Sequence, residues 1–153
     1  MNMSLENKIN NDIKAAMLNK DKKLLEALRA VKAAILLEKT SSGISEGSIP
    51  EETETKLLQK LVKQRKESEE VYSKQNRPEL AETENYQASV IEKYLPEQIS
   101  EEELTTIIKE IIQSTGASGI KDMGKVMGIA SKQLAGKADN KSVADIVKKL
   151  LAG

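Results

Sequence analysis

The stretch DMGKVMGIASKQLAGKADNKSVADIVKKLLAG, Asp122 to Gly153, combines closely spaced glycines, regularly recurring lysines and an apolar closing segment. Inside a helix, each glycine costs roughly 1 kcal/mol relative to alanine. Gly124, Gly128 and Gly136 therefore indicate backbone that is held close to another group. That group is either a neighbouring helix or a phosphate backbone.

Apolar residues recur at helical spacing in this stretch and along nearly the whole chain. In the closing segment they lie three and four residues apart, at Val143, Ile146, Val147, Leu150 and Leu151, which is typical of an amphipathic helix. Alternating strand patterns bounded by turns are missing. The sequence therefore predicts an all-α protein.

Capping and helix-breaking residues set the predicted limits of the helices. Before the tail, the predicted helices cover residues 4–19, 21–40, 50–75 and 79–94, the second of them capped by Asp21. Further helix starts are predicted from capping residues, namely Ser100 with Glu103, Asp122 before a helix to Leu134, and Ser142 with Asp145.

Two segments read as connections between helical parts. Thr40 to Ser48 is rich in serine and glycine and is predicted to be a linker. Leu95 precedes Pro96, and a residue before proline is pushed out of the helical region. We therefore expect an N-terminal helical domain at 1–95 and a small C-terminal helical domain at 96–153.

The composition removes several chemistries. Cysteine and histidine are both absent, so there is no thiol nucleophile, no disulfide, and neither the commonest general base nor the commonest metal ligand. Ser131 and Lys132 are adjacent, and adjacent helical residues point about 100 degrees apart, so they are poorly placed to activate each other. We expect no catalytic residue, no cofactor and no metal.

No apolar run approaches the roughly 20 residues that a membrane span needs, and Met1 to Lys20 lacks the apolar core of a signal peptide. From these observations we expect a cytoplasmic location and no membrane partner.

Charge is balanced over the chain but polarised in the tail. Lys plus Arg and Asp plus Glu number 24 each, so binding to nucleic acid must use a local patch. Residues 96–120 hold one lysine and five glutamates, net minus four, whereas residues 121–153 hold seven lysines and three aspartates, net plus four. Such a basic surface can contact phosphates. The candidate nucleic-acid-binding residues are Lys121, Lys125, Lys132, Lys137 and Lys141, with Gly124, Gly128 and Gly136 permitting close approach.

The tail pattern resembles the domain shared by YqeY-like proteins and the GatB subunit of the glutamine-dependent amidotransferases that correct misacylated tRNA. The residues that carry this resemblance are Asp122 to Gly128, Gly136 to Asp139 and Val143 to Leu151. A YqeY-type junction upstream is indicated by Arg77, Pro78, Glu79, Glu82, Glu84, Tyr94, Leu95 and Pro96. The resemblance to YqeY-like proteins covers essentially the whole chain, and only the tail half is shared with GatB.

The resemblance implies an N-terminal helical domain followed by a GatB-tail-like domain. In the amidotransferase this tail helps to grip tRNA while catalysis resides elsewhere, and this chain is too short to hold the GatB catalytic domain. The leading hypothesis is a noncatalytic, tRNA-associated binding module. The alternative is an adaptor that docks onto amidotransferase subunits or an aminoacyl-tRNA synthetase. The least favoured reading is a carbon–nitrogen ligase with glutamine as amido-N-donor, a class to which the family is often assigned because of the shared tail.

Overall fold

The computed structural model describes residues 4–44 and 47–153, and these residues form seven α-helices, one short 3-10 helix and no strand. The prediction of an all-α protein is confirmed. The helices are α1 Leu5–Leu18, α2 Lys22–Ser41, α3 Glu51–Lys74, α4 Pro78–Glu92, α5 Glu101–Thr115, α6 Met123–Gln133 and α7 Asn140–Ala152, with the 3-10 helix Ile120–Asp122 directly before α6.

The predicted linker is partly helical, because α2 continues through Ser41. Gly43 has a φ of 70°, which is a left-handed backbone conformation that residues with a Cβ atom rarely adopt. Ser45 and Glu46 lie outside the described residues.

The chain divides into two compact units, Met1–Leu95 and Pro96–Gly153. In the first unit α1 packs on α2, α3 packs on α4, and α2 contacts both α3 and α4. The core of this unit is aliphatic, and its largest fully buried side chains are Ile9, Leu28, Val31, Ile35 and Ile91.

The second unit is a three-helix arrangement in which α5, α6 and α7 contact one another. Its core consists of Leu104, Ile108, Ile111, Val126, Ala130, Leu134, Ala138, Val143, Val147 and Leu151. The segment that leads into α5 is tied to the loop between α6 and α7, because Ile99 N donates to Lys137 O at 3.0 Å. The Gln98 amide also donates to Gly136 O at 2.7 Å.

Two of the predicted caps are confirmed. The Asp21 carboxylate accepts from Leu24 N at 3.2 Å at the start of α2. The Ser100 hydroxyl accepts from Glu103 N at 3.2 Å at the start of α5. Both bonds satisfy a backbone N–H group that has no partner within the first helical turn.

The other two predicted caps differ from the structure. Asp122 is the N-cap residue of α6, as predicted, but its side chain makes no capping bond, because its carboxylate accepts from Ser118 N at 2.9 Å in the preceding turn. Ser142 and Asp145 lie inside α7, which begins at Asn140 after the extended residue Asp139. The helix starts three residues earlier than the capping pattern indicated.

Ser100 caps a helix and Ser142 lies inside one, so replacing each serine by alanine tests the observed start of α7. Ser100→Ala is expected to lower the free energy of unfolding by about 1 kcal/mol, because it removes a capping acceptor. Ser142→Ala is expected to leave it unchanged or to raise it by a few tenths of a kcal/mol, roughly the difference in helix propensity. Urea unfolding of both variants measures the difference. Equal losses in the two variants would contradict the helix start at Asn140.

A hydrogen bond joins the end of the first unit to its first helix. The Tyr94 hydroxyl donates to the Asp12 carboxylate. Burial, reinforced by this bond, raises the pKa of Tyr94 well above its ordinary value. Because the folded state favours the protonated phenol, the contribution of Tyr94 to stability is complete below about pH 10, the ordinary tyrosine pKa. It is lost as the pH rises from there through the raised pKa.

Tyr94→Phe is therefore expected to lower the free energy of unfolding near neutral pH by about 1 kcal/mol, since the lost bond has a charged acceptor but is partly solvated. The variant should also lose less stability than the parent above about pH 10. Denaturant titrations at neutral and alkaline pH measure both effects, with Tyr72→Phe as the control. A variant that keeps the parent's alkaline slope would contradict this role of Tyr94.

Candidate nucleic-acid interface

Gly124 and Gly128 lie one helical turn apart on the outer side of α6. Both are exposed, and a Cβ atom built at either position would meet nothing within 4 Å. The opposite side of α6 carries Val126 and Ala130, which are fully buried in the core. Helix packing therefore does not explain these two glycines, and this alternative from the sequence is wrong for them.

Lysines flank these glycines on the same side of the helix. Lys121 lies in the 3-10 helix that precedes α6. Lys125 is four residues after Lys121, and Lys132 is seven residues after Lys125. With a rise of about 1.5 Å per residue, the Cα atoms of Lys125 and Lys132 are roughly 10 Å apart along the helix axis. All three lysines are exposed.

We call this surface the α6 face, and it consists of a shallow depression together with Lys121 directly before the helix. The depression has a volume of about 630 Å³ and is lined by Gly124, Lys125, Gly128, Ile129, Lys132 and Gln133. Every lining residue comes from α6, so the shape of the depression is set by one helix. The absence of side chains at the two glycines is what makes the centre of the face low.

The lysines of the α6 face are available for an anionic ligand. In the part of the chain that the structure describes, no ion pair involves Lys121, Lys125 or Lys132. Lys125 Nζ lies 3.5 Å from Thr115 O, at the carboxyl end of α5. A cation at this position is favourable to the α5 dipole, and the long distance leaves the ammonium group free to bind other acceptors as well.

Gly136 has a different task from the other two glycines. Its φ of 77° lies in the left-handed region, which glycine adopts without the strain that a Cβ atom brings. It turns the chain after α6, and its carbonyl oxygen accepts from the Gln98 amide. The residue is explained by this turn rather than by close approach to a ligand.

Lys137 and Lys141 lie away from the α6 face. Lys137 lines a second depression, of about 300 Å³, together with the carboxylate residues Glu101, Asp139 and Asp145. Lys141 is exposed in the first turn of α7. Of the eight residues predicted from the sequence, the structure places Gly124, Lys125, Gly128 and Lys132 in one depression, with Lys121 just before it.

Two residues of the α6 face were not predicted. Ile129 is 41% exposed in the middle of the face, and Gln133 lies at its end. Ile129 is four residues after Lys125 and one after Gly128, so helical spacing was the signal that could have revealed it. The face thus presents a small apolar surface between two lysines.

The described ranges bear on two kinds of feature: clusters of metal-ligating side chains and helices that could span a membrane. Residues 4–44 and 47–153 contain no group of three or more acidic, histidine or cysteine side chains that could hold a metal ion. Among the helices in these ranges, none has the length and apolar character required to cross a bilayer.

Comparison with protein families identifies the chain. The family described as "Yqey-like protein" matches residues 6–151. The chain belongs to the YqeY-like family. The match includes both compact units and the whole α6 face, and it confirms the family resemblance deduced from the sequence.

A relative of this YqeY-like chain is "Altered inheritance of mitochondria protein 41, mitochondrial" from Pyrenophora tritici-repentis (strain Pt-1C-BFP). The two sequences are 30% identical over 130 residues, which make up 83% of the YqeY-like chain and 69% of the relative. The name of the relative states a mitochondrial location and gives no activity.

Proposed function

We propose that this YqeY-like protein is an accessory tRNA-binding module without a catalytic centre of its own, and that the α6 face contacts the phosphate backbone. The observation that carries the proposal is the open glycine surface of α6, flanked by lysines that have no ion-pair partner among the described residues. tRNA is the proposed nucleic acid because the tail resembles that of GatB.

The chemistry of the face suits a sugar–phosphate chain. Lysine ammonium groups donate to phosphate oxygens and release the counterions that surround nucleic acid. Because Gly124 and Gly128 have no side chains, a phosphate ridge can lie close to the helix backbone between the lysines. Ile129 then contacts the apolar edge of a ribose.

Recognition through stacked single-stranded bases does not fit this chain. Such recognition uses aromatic side chains as platforms, and the sequence has three tyrosines with no Phe or Trp. All three tyrosines precede the tail unit. The proposed contact is therefore made to the backbone and is independent of base sequence.

The test is a titration of the full chain with total tRNA, and with duplex DNA as a control, at about 50 mM and about 200 mM salt. Three lysine contacts predict a slope of log K against log salt of about −2 to −3. Binding that prefers tRNA and weakens by roughly 15- to 40-fold between the two buffers would support the proposal. No binding to tRNA in the low-salt buffer would refute it.

An adaptor function is the second candidate, and exposed apolar side chains favour it. Ile120 is 47% exposed and Ile129 is 41% exposed, and a protein surface could cover both. Docking of this kind, onto amidotransferase subunits or an aminoacyl-tRNA synthetase, would change little with ionic strength. Pulldown with these purified proteins in the same two buffers separates the candidates.

Ligase activity with glutamine as amido-N-donor is the third reading, and we do not favour it. The sequence lacks Cys and His, so a glutaminase thiol and its usual base are both missing.

For the cellular location of this protein, we propose the cytoplasm. The mitochondrial name of the fungal relative makes cell fractionation the test, and enrichment in an organelle fraction would contradict it.

The glycines of α6 give a prediction in which stability and binding change in opposite directions. Gly128→Ala is expected to raise the free energy of unfolding by about 1 kcal/mol, because the position is helical and open. The same change should weaken tRNA binding several-fold, since a methyl group then occupies the floor of the depression. Thermal unfolding and tRNA titration measure the two effects.

Gly116→Ala is the control for this prediction. Gly116 ends α5 with a φ of 69°, so alanine there is expected to lower the free energy of unfolding by about 1 to 2 kcal/mol. Its tRNA affinity should be unchanged under conditions where the variant is folded. A Gly128→Ala variant that is stabilised but binds tRNA like the parent would remove the glycine floor from the proposed interface.

A further inference from the structure

The end of α1, next to the turn into α2, carries two apolar side chains that are largely exposed. Leu18, the last residue of α1, is 84% exposed, the largest value among the bulky apolar residues that the structure describes. Met17 beside it is 54% exposed, whereas the small Ala16 is buried. The end of α1 therefore turns its small residue inward and its large apolar residues outward.

Lysines flank this apolar pair in the sequence. Residues 14–23, which we call the α1–α2 tip, contain four lysines and one acid, a net charge of plus three. These lysines are all exposed, and they are Lys14, Lys20, Lys22 and Lys23. The one acid, Asp21, is held by Leu24 N as the cap of α2. The acids next to the tip in the sequence are Asp12, which accepts from Tyr94, and Glu26 in α2.

Backbone hydrogen bonds hold the turn of the tip against the end of α1. Three N–H groups of the turn donate to the last carbonyl groups of α1 at 3.0 to 3.2 Å: Asn19 to Ala15, Lys20 to Met17 and Asp21 to Ala16. These three N–H groups already have acceptors, so bringing them close to an apolar medium does not leave them unpaired.

We propose that the α1–α2 tip binds the surface of a bilayer that contains anionic lipids. Leu18 and Met17 enter the region between the headgroups, and the lysines lie at the level of the lipid phosphates. The apolar and the electrostatic contributions together favour a bilayer over RNA as the ligand. An RNA backbone would pair with the lysines but would leave Leu18 in water. Surface binding needs no membrane span, so it revises the expectation of no membrane partner, which rested on the length of apolar runs.

The contact should be reversible. A lysine near an anionic leaflet changes the partition coefficient by roughly fivefold, and burial of an exposed leucine by about tenfold or more. With one inserted pair and four lysines, the tip allows attachment that depends on lipid charge and salt. This surface is separate in sequence from the α6 face, so its test does not depend on the proposed tRNA binding.

The test is cosedimentation of the full chain with vesicles of phosphatidylcholine alone or with about one third phosphatidylglycerol. We expect binding to the anionic vesicles only. Leu18→Ser should reduce the partition coefficient about tenfold, while the control Leu37→Ser, at a leucine of α2 that is 69% exposed, should not change it. The triple change of Lys20, Lys22 and Lys23 to glutamine should reduce it by roughly 100-fold, and the same change at Lys109, Lys148 and Lys149 should not.

Three outcomes would overturn the proposal. The first is failure of the parent to bind anionic vesicles. The second is binding that Leu18→Ser leaves intact, which would show a purely electrostatic contact without insertion. The third is loss of tRNA binding, rather than vesicle binding, in the tip lysine variant, which would assign these lysines to RNA. Circular dichroism of each variant checks that the helices are kept, as expected for such exposed positions.

Discussion

Replacement of Lys125 and Lys132 by glutamate is expected to weaken tRNA binding by roughly 100-fold at low salt, because two phosphate contacts are lost and two repulsions are introduced. The salt slope should become shallower by about two. Both side chains are exposed on one face of α6, so the helices of the tail should be retained. Fluorescence anisotropy with labelled tRNA at several salt concentrations measures the affinity and the slope together.

Lys148→Glu with Lys149→Glu is the matched control for this double change. Both lysines are exposed on α7, in the same unit and with the same change in net charge. If only the total charge of the tail mattered, the control would lose as much affinity as the α6 variant. We expect a loss of severalfold at most, and an equal loss in the two variants would contradict a site on α6.

The largest effect on stability is expected at Ile108. This side chain is fully buried in the core of the tail unit, and Ile108→Ala should lower the free energy of unfolding by about 2 to 5 kcal/mol, since apolar contacts are lost and a cavity is left. This loss is comparable to the total stability of a small domain. Because the first unit has its own aliphatic core, the loss should fall on the tail.

Ile129→Ala provides the comparison within the same unit, since Ile129 is 41% exposed. Its free energy of unfolding should fall by less than about 1 kcal/mol, because little of the side chain leaves water on folding. Hydrogen exchange of the tail amides, read with denaturant titration, separates tail unfolding from global unfolding. Similar losses in the two isoleucine variants would contradict the assignment of Ile108 to the core and Ile129 to the surface.

The helices could be predicted from the sequence because the signals that define them are local. Apolar residues three and four apart and the caps at Asp21 and Ser100 act within one or two turns. The capping bond at Asp122 was mispredicted because the 3-10 turn before α6 brings its carboxylate to Ser118 N instead. The cap at Ser142 was mispredicted because a serine followed three residues later by an acid also occurs inside a helix.

The candidate site was only partly predictable. Spacing alone places Gly124, Lys125, Gly128 and Lys132 on neighbouring positions of one helix. Whether this side of α6 faces solvent or the core depends on how Val126 and Ala130 pack against α5 and α7. The same packing brings Lys137 into one depression with Glu101, which lies far from it in sequence. Tertiary contacts of this kind could not be read from a single sequence.

The most direct test of the proposed tRNA-binding α6 face is the amide spectrum of this isotope-labelled chain during titration with tRNA. We predict that the amide signals of Gly124, Gly128 and Ile129 shift or broaden first, while those of Lys148 and Lys149 on α7 change little. Signals of α6 that stay unchanged while amides elsewhere respond to bound tRNA would contradict the claim that this face is the RNA-binding surface.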